Sequence, residues 1–269
     1  MRTAIAAMVF LAASALAGAT LDGQEVHYTV SGQGTRTVIL VHGWTCDETS
    51  WSEQVPALAS HYRVITLDLP GHGKSDPPKD GQYSMDVFAR AVEAVRAEVK
   101  AQRVVLAGHS MGTPVILRYA GLYPQHTVAL VFVDGVMPSR ERLNPPFGDQ
   151  FGGPDGLKNR EAFVRGFFTD ATTPSIRKKI LDMMLAAPES AAVHAMNATW
   201  TPDAITEEIP RVPILGLYAA QPCAPRATVL ARYPQTDYQQ IPGTGHFLML
   251  EKPKEFNQAI LEFLAKQKY

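Results

Sequence analysis

The sequence predicts an α/β fold, with a mostly parallel sheet wrapped by helices. Short apolar runs at residues 37–41, 62–67 and 103–107 lack the alternation of half-exposed strands, and such runs are typical of strands buried on both faces. Between the last two runs, residues 84–100 carry apolar side chains at helical spacing. Strand, helix and strand in this order indicate a right-handed crossover between parallel strands.

The other sheet elements follow in chain order. Residues 25–30 alternate polar and apolar side chains as a half-buried strand does, and the turn at residues 32–34 leads us to expect an opening hairpin. Two more buried strands are predicted at residues 128–133 and 212–218, a last strand near residues 238–241, and a C-terminal helix at residues 254–265.

A long segment between Asp134 and Val212 shows no strand pattern. It contains helical patterns at residues 161–168, 175–185 and 190–197. We therefore expect a helical cap insertion over the carboxyl edge of the sheet. The cap comprises residues 137–205, and the core comprises residues 18–136 and 206–269.

The first 17 residues have the pattern of a cleaved export signal. Arg2 gives a positive start, residues 4–17 are small or apolar, and Ala15-Leu16-Ala17 fits a cleavage site, so residues 1–17 are predicted to be a signal peptide. An uncleaved anchor is the alternative, but the run is shorter than the roughly 20 residues of a spanning helix. We expect a periplasmic or secreted protein without stable membrane insertion.

The charge of the chain excludes one class of partner. The formal net charge of the 269 residues is -1, and the pI is about 6.7. Such a protein has no basic field to hold a phosphate backbone or anionic lipid. Nucleic acid is therefore not expected as a partner, and the charge says nothing about oligomeric state.

The two cysteines, Cys46 and Cys223, show no metal-binding spacing, and the chain contains no HExxH motif. No metal site is therefore predicted. Export would allow the pair to form a disulfide if their Cα atoms came within about 7 Å. The alternative is two separate buried thiols.

The run Gly108-His109-Ser110-Met111-Gly112 matches the pattern G-x-S-x-G between a predicted strand and a helix-compatible segment. In this context the serine sits on a strained turn that exposes its hydroxyl, and small residues on both sides permit the close packing. The helix N-terminus favours developing negative charge. Ser110 is therefore the predicted catalytic nucleophile.

A base and two oxyanion donors complete the expected machinery. His246 lies in a glycine-containing loop after the last strand, where its neutral imidazole could accept the Ser110 proton and return it to the leaving group. The backbone N–H groups of Trp44 and Met111 are the predicted oxyanion hole, and each such donor supplies roughly 3 kcal/mol. His42, in a turn-forming His-Gly pair, is expected to be structural.

Four landmarks together resemble the α/β-hydrolase superfamily over nearly all of the chain after residue 17, at residues 42–44, 68–75, 108–112 and 243–251. The resemblance is to capped serine esterases. It implies an eight-stranded sheet, a triad in the chain order Ser, acid, His, and no cofactor. It also implies that residues 68–75 are structural.

The chain departs from this family at the triad acid. The family usually places the acid in the loop after the strand at residues 212–218, but residues 219–225 contain no carboxylate here. Some members place it one strand earlier, where Asp134 ends a strand, so we predict that Asp134 is the acid. An aspartate there could instead cap the turn. The alternative acids are Asp203, Asp237 and Glu251. An enzyme that works with a Ser and a His alone is the remaining alternative.

Apolar side chains are expected to form the substrate pocket. Met and aromatic residues make an adaptable apolar cleft, and from these we select Trp44, Phe168, Met184 and Trp200 as substrate-binding residues. Most of the cap residues of this type would simply pack between helices. No Arg or Lys is convincingly placed to bind a carboxylate or phosphate.

A serine nucleophile argues for acyl transfer and against the alkyl-enzyme chemistry of related epoxide hydrolases and dehalogenases. The predicted function is an exported carboxylesterase acting on small to medium apolar esters through an acyl-enzyme on Ser110. Lactonase, thioesterase, amidase, C–C hydrolase and perhydrolase activities would use the same groups. A ligand sensor that keeps the triad is the alternative from another class.

Overall fold

The computed structural model describes residues 16–139, 146–205 and 210–269, and an eight-stranded sheet runs through them. The strands are β1 (Leu16–Leu21), β2 (Gln24–Ser31), β3 (Thr37–Val41), β4 (Arg63–Leu67), β5 (Val104–His109), β6 (Thr127–Val133), β7 (Ile214–Tyr218) and β8 (Thr236–Gln240). Their order across the sheet is β1-β2-β4-β3-β5-β6-β7-β8. β2 pairs antiparallel with β1 and β4, and every other pair is parallel. The predicted fold class is confirmed.

Helices cover both faces of this sheet. They are α1 (Val55–Ala59), α2 (Met85–Glu98), α3 (Gly112–Leu122), α4 (Gly156–Arg165), α5 (Pro174–Ala186), α6 (Glu189–Thr199), α7 (Arg226–Arg232), α8 (Leu248–Glu251) and α9 (Pro253–Lys266). α2 begins where its sequence predicts, because the Ser84 hydroxyl accepts the Val87 N–H at 3.1 Å and so caps the helix. All residues of β3 and β5 are buried, as their apolar runs predict.

The opening hairpin lies one strand earlier than predicted. β1 and β2 form it through Asp22 and Gly23, which adopt φ values of 52° and 87°. The glycine after β2, Gly32, instead fits against α1, since a Cβ there would lie 2.5 Å from the Ala59 carbonyl oxygen. The strand at residues 16–21 is hidden in the sequence because its start merges with the apolar run of the predicted signal.

The predicted signal peptide falls mainly on residues 1–15, which lie outside the described residues, and it stays a prediction. Leu16 and Ala17 already belong to β1 and pair with Thr29 and Tyr28. β1 therefore includes the two residues that precede the expected cleavage point. No helix within the described parts of the chain is both long and apolar enough to cross a bilayer.

α4, α5 and α6 lie between β6 and β7, in the segment predicted to form the cap. A hydrogen bond joins this segment to the core: the Trp44 indole Nε1–H donates to the Ala192 carbonyl oxygen of α6 at 2.8 Å. The Trp44 ring also contacts Phe151 and Phe163, with centroid separations of 4.8 and 5.6 Å. The helical insertion thus packs directly over the loop that follows β3.

Candidate active site

Ser110 lies at the sharp turn from β5 into α3, with a left-handed φ of 52°. Its backbone N–H donates to Val133 O at 2.9 Å, which fixes the turn against β6. A Cβ on Gly108 would lie 2.3 Å from Gly112 O, so glycine is needed there for strand and helix to approach. A left-handed φ in a non-glycine residue such as Ser110 costs on the order of 1–3 kcal/mol. The residue predicted to be the nucleophile therefore carries backbone strain.

The structure brings His246 and Asp134 together. His246 Nδ1 donates to Asp134 Oδ2 at 2.7 Å, and the other carboxylate oxygen accepts the N–H groups of Ala219 and Cys223 at 3.2 and 3.3 Å. Because an ionised carboxylate only accepts hydrogen bonds, the proton of a neutral His246 lies on Nδ1. The Nε2 lone pair is then available to accept a proton.

Electrostatics stabilise the charged forms of this pair. Burial raises the pKa of Asp134, but the hydrogen bond and charge of His246 outweigh burial and lower that pKa below its ordinary value. Burial likewise lowers the pKa of His246, but the hydrogen bond and negative charge of the Asp134 carboxylate, together with the neighbouring Cys223 side chain, outweigh burial and raise that pKa. Asp134 therefore favours the imidazolium that forms when His246 accepts a proton.

Two of the alternative acids have other partners. Asp237 is exposed on β8, and its carboxylate accepts the Gln239 amide at 3.1 Å. Glu251 accepts the Gly245 N–H and the Thr172 hydroxyl, each at 2.5 Å. Glu251 thus ties the loop that carries His246 to the segment between α4 and α5.

The residues predicted to form the oxyanion hole flank Ser110. A Cβ on Gly43 would lie 3.1 Å from the Ser110 Cβ, so the loop after β3 closely approaches the turn. Met111 follows Ser110 and precedes the first residue of α3. Within the described residues, the backbone N–H groups of Trp44 and Met111 donate no hydrogen bond, and both residues line the same cavity as Ser110. Both N–H groups are therefore free to bind an oxygen.

Other polar residues of the landmark motifs are held in structural contacts. His42 donates from Nδ1 to Gly43 O at 2.7 Å and accepts the Leu69 N–H at Nε2, at 2.9 Å. The Asp68 carboxylate accepts the N–H groups of Glu48 and Lys74 at 2.7 and 2.9 Å. These contacts agree with the structural roles expected for both residues.

His109 is a site residue that sequence reasoning missed. Its Nε2 donates to the His246 carbonyl oxygen at 3.0 Å, and the two imidazole rings lie 4.6 Å apart. Burial lowers the pKa of His109 to about 3, so the ring is neutral. His109 therefore positions the backbone of the predicted base. The signal available in the sequence is its place beside Ser110.

A cavity of about 560 Å³ lies over Ser110 and His246. It is lined mainly by apolar and aromatic side chains, and the residues are Gly43, Trp44, Cys46, His109, Ser110, Met111, Val136, Phe147, Phe163, Phe167, Met184, Met196, Thr199, Trp200, Cys223, His246 and Phe247. No Arg, Lys, Asp or Glu occurs among these described lining residues. The cavity suits a neutral apolar molecule.

Three of the four predicted pocket residues, Trp44, Met184 and Trp200, line this cavity, but Phe168 does not. The Phe168 ring instead lies under the Arg177 guanidinium, 5.6 Å from it. Its neighbour Phe167 lines the cavity, with its ring 4.5 Å from that of His246. The sequence pattern predicted Phe168 instead of Phe167 because it extended the helix to residue 168. α4 ends at Arg165, and beyond that residue helical spacing no longer sets the direction of the side chains.

The two cysteines are free thiols, so the disulfide considered from the sequence is not formed. Cys46 is buried and Cys223 is exposed, which also corrects the alternative of two buried thiols. Cys223 lies in the loop after β7, where the resemblance places the acid. Its Sγ is 3.4 Å from His246 Nδ1.

Comparisons with known proteins agree with this architecture. A putative non-heme chloroperoxidase from Synechocystis sp. is 28% identical over 281 residues, covering 91% of this chain and 96% of that protein. A 2-hydroxy-6-oxononadienedioate/2-hydroxy-6-oxononatrienedioate hydrolase from Cupriavidus pinatubonensis is 26% identical over 266 residues, covering 89% of this chain and 90% of that protein. Among solved structures, a thermophilic esterase from Thermogutta terrifontis, with malate bound, matches with a TM-score of 0.83 and 27% identity, covering 95% and 99%.

The names of these relatives describe different reactions. The family model described as "Alpha/beta hydrolase family" matches residues 38–259, from β3 into α9. That match spans most of the chain and contains the turn at Ser110, the aspartate after β6 and the histidine loop after β8. The chain therefore belongs to the alpha/beta hydrolase family.

Proposed function

We propose that this hydrolase cleaves neutral, apolar carboxylic esters through an acyl-enzyme on Ser110. The observation that supports the proposal is the hydrogen-bonded His246–Asp134 pair, whose histidine lines the same apolar cavity as Ser110. A serine beside a base that is oriented by a carboxylate is the arrangement that activates a hydroxyl for attack on an acyl carbon.

The proposed mechanism draws its groups from residues that line the cavity. Ser110 Oγ attacks the ester carbonyl carbon while His246 Nε2 takes its proton, and the N–H groups of Trp44 and Met111 bind the developing oxyanion. The imidazolium then gives the proton to the leaving alcohol, which breaks the C–O bond. Water attacks the acyl-enzyme by the same route and releases the carboxylic acid.

The described lining residues include no Arg or Lys, which favours esters over the substrates that some relatives' names indicate. The relative from Cupriavidus pinatubonensis is named for a dioate, a molecule with two carboxylates. A carboxylate buried without a cation loses several kcal/mol of hydration, and the described residues lining the cavity here provide no Arg or Lys. We therefore favour ester hydrolysis over C–C hydrolysis of such substrates as the proposed reaction.

A matched pair of substrates tests the proposal. We expect turnover of p-nitrophenyl butyrate, and a kcat/KM at least about 100-fold lower for p-nitrophenyl hemisuccinate, since that ratio corresponds to roughly 2.7 kcal/mol of unpaired charge. The two esters share a four-carbon acyl chain and differ in the terminal carboxylate. Equal kcat/KM values would contradict the neutral-substrate proposal. A folded protein without turnover of either ester would favour the ligand-sensor alternative.

Neighbouring phenylalanines provide a matched test of the cavity. We expect Phe167→Ala to lower kcat/KM for p-nitrophenyl benzoate by about 10-fold or more, because the cavity loses an aromatic wall worth on the order of 2 kcal/mol of burial. Phe168→Ala, which removes the same atoms outside the cavity, should stay within about threefold of the wild type. Steady-state kinetics on both variants decide the assignment. A larger loss for Phe168→Ala would reverse it.

A further inference from the structure

Three different metal-ligating atoms meet next to the candidate catalytic pair. Asp134, Cys223 and His246 each offer one ligand atom, and these atoms all lie within 4.8 Å of one another. We propose that this cluster binds a thiophilic divalent cation such as Zn²⁺, and that the bound ion inhibits the hydrolase. The inhibition rests on the function proposed above, whereas binding of the ion does not.

The distances are close to those of a tetrahedral zinc site. Bond lengths of about 2.0–2.3 Å to N, O and S place tetrahedral ligand atoms roughly 3.3–3.7 Å apart. His246 Nδ1 is already 3.4 Å from Cys223 Sγ and 2.7 Å from Asp134 Oδ2. The carboxylate and the imidazole therefore need to separate by only about half an ångström to admit an ion.

The surroundings of the cluster support an ion that enters from the cavity. The side chains of His246 and Asp134 are 6% and 1% exposed, whereas Cys223 is exposed and lines the cavity. The second Asp134 oxygen is held by the N–H groups of Ala219 and Cys223, and such outer contacts orient ligands before a metal arrives. Three protein ligands leave a fourth position for water on the open side.

A second group of three potential ligands lacks these features. His27, Glu48 and Asp68 also lie near one another. The Lys74 ammonium, however, is 3.3 Å from Glu48 Oε1, and both Asp68 oxygens accept backbone N–H groups. A cation there would meet the positive charge of Lys74.

Binding of an ion at Asp134, Cys223 and His246 would remove the base. The metal takes the lone pair of His246 Nδ1, so the proton of the neutral ring moves to Nε2, and the Cys223 thiol releases its proton to solvent. An Nε2 that carries hydrogen cannot accept the proton of Ser110. The ion therefore inhibits by fixing the wrong tautomer, without occupying the acyl site.

Cadmium is a suitable probe because its bond to a thiolate absorbs in the ultraviolet. We expect Cd²⁺ to give this band with the wild type, and Zn²⁺ to give a one-to-one calorimetric isotherm. Cys223→Ser and Cys223→Ala should each weaken binding by at least about 10-fold, since even outer contacts of a metal site are worth that much. Cys46→Ala is the matched control. Burial raises the pKa of the Cys46 thiol and so disfavours the thiolate that a metal binds. The Cys46→Ala variant should therefore keep the band.

Inhibition is measured separately, relative to each protein's own metal-free rate. We expect Zn²⁺ to inhibit ester hydrolysis by the wild type and Cys46→Ala at concentrations at least about 10-fold below those needed for the Cys223 variants. Absence of a cadmium–thiolate band in the wild type, or a band that depends on Cys46, would overturn the site. Saturated binding without inhibition would overturn the tautomer argument. A Cys223-dependent band in a protein without ester turnover would support the site and count against the proposed function.

Discussion

Replacing Ser110 with alanine is expected to lower kcat for p-nitrophenyl butyrate by about 10⁶-fold, the loss found when the serine of a Ser-His-Asp triad is removed. The variant keeps the cavity and the free N–H groups of Trp44 and Met111, so KM should change little. The wild type should also form a covalent adduct with a p-nitrophenyl phosphonate ester, detected by mass spectrometry, and the variant should not.

A surface serine supplies the control for this experiment. Ser60 is exposed at the end of α1, where its hydroxyl donates to Ala57 O. Ser60→Ala should keep the wild-type kcat and the adduct. Alanine at position 110 also removes a hydroxyl without filling the turn, so its Tm should not fall. Residual adduct formation in Ser110→Ala would place the nucleophile elsewhere.

Replacing Asp134 with asparagine is expected to lower kcat by about 10³- to 10⁴-fold, because an amide neither fixes the Nδ1–H tautomer nor stabilises the imidazolium with a charge. The side chain keeps its size, and Ala219 and Cys223 can still donate to its oxygen. The loss should therefore fall on kcat and leave KM within a few-fold of the wild type. Steady-state kinetics at saturating ester measure this split.

Asp237→Asn makes the same chemical change on an exposed residue of β8 and should keep the wild-type kcat. Thermal denaturation of both variants separates catalysis from folding. The Asp134 assignment is wrong if Asp134→Asn retains kcat, or if its kcat loss is matched by a large fall in Tm and recovers at lower temperature.

Local patterns in the sequence were sufficient for most of the fold. Residues 37–41 and 104–107 are apolar without alternation because parallel strands are buried on both faces, and Ser84 marks the start of α2 because its side chain satisfies a helix N–H. β1 was not predicted because residues 16–21 continue the apolar run of the predicted signal peptide. The strand becomes evident only through its pairing with β2.

The site could be predicted where one residue type at one local position carries the chemistry. Ser110 is flanked by glycines that the turn requires, and His246 follows the last strand in a loop. Phe168 was misplaced because α4 ends before it, so the direction of its side chain depends on packing with Arg177. His109 was missed because its partner, the His246 carbonyl, is distant in sequence.

The sequence by itself determined most strands and helices after β1 and the local turn at Ser110, since these follow from short-range periodicity and glycine placement. Only the tertiary structure decided which carboxylate meets His246, because 112 residues separate it from Asp134 and an aspartate at a strand end can instead cap the turn. The same long-range folding brings Cys223 beside that pair. Contacts between such distant residues are set by how the sheet is assembled and have no counterpart in local sequence.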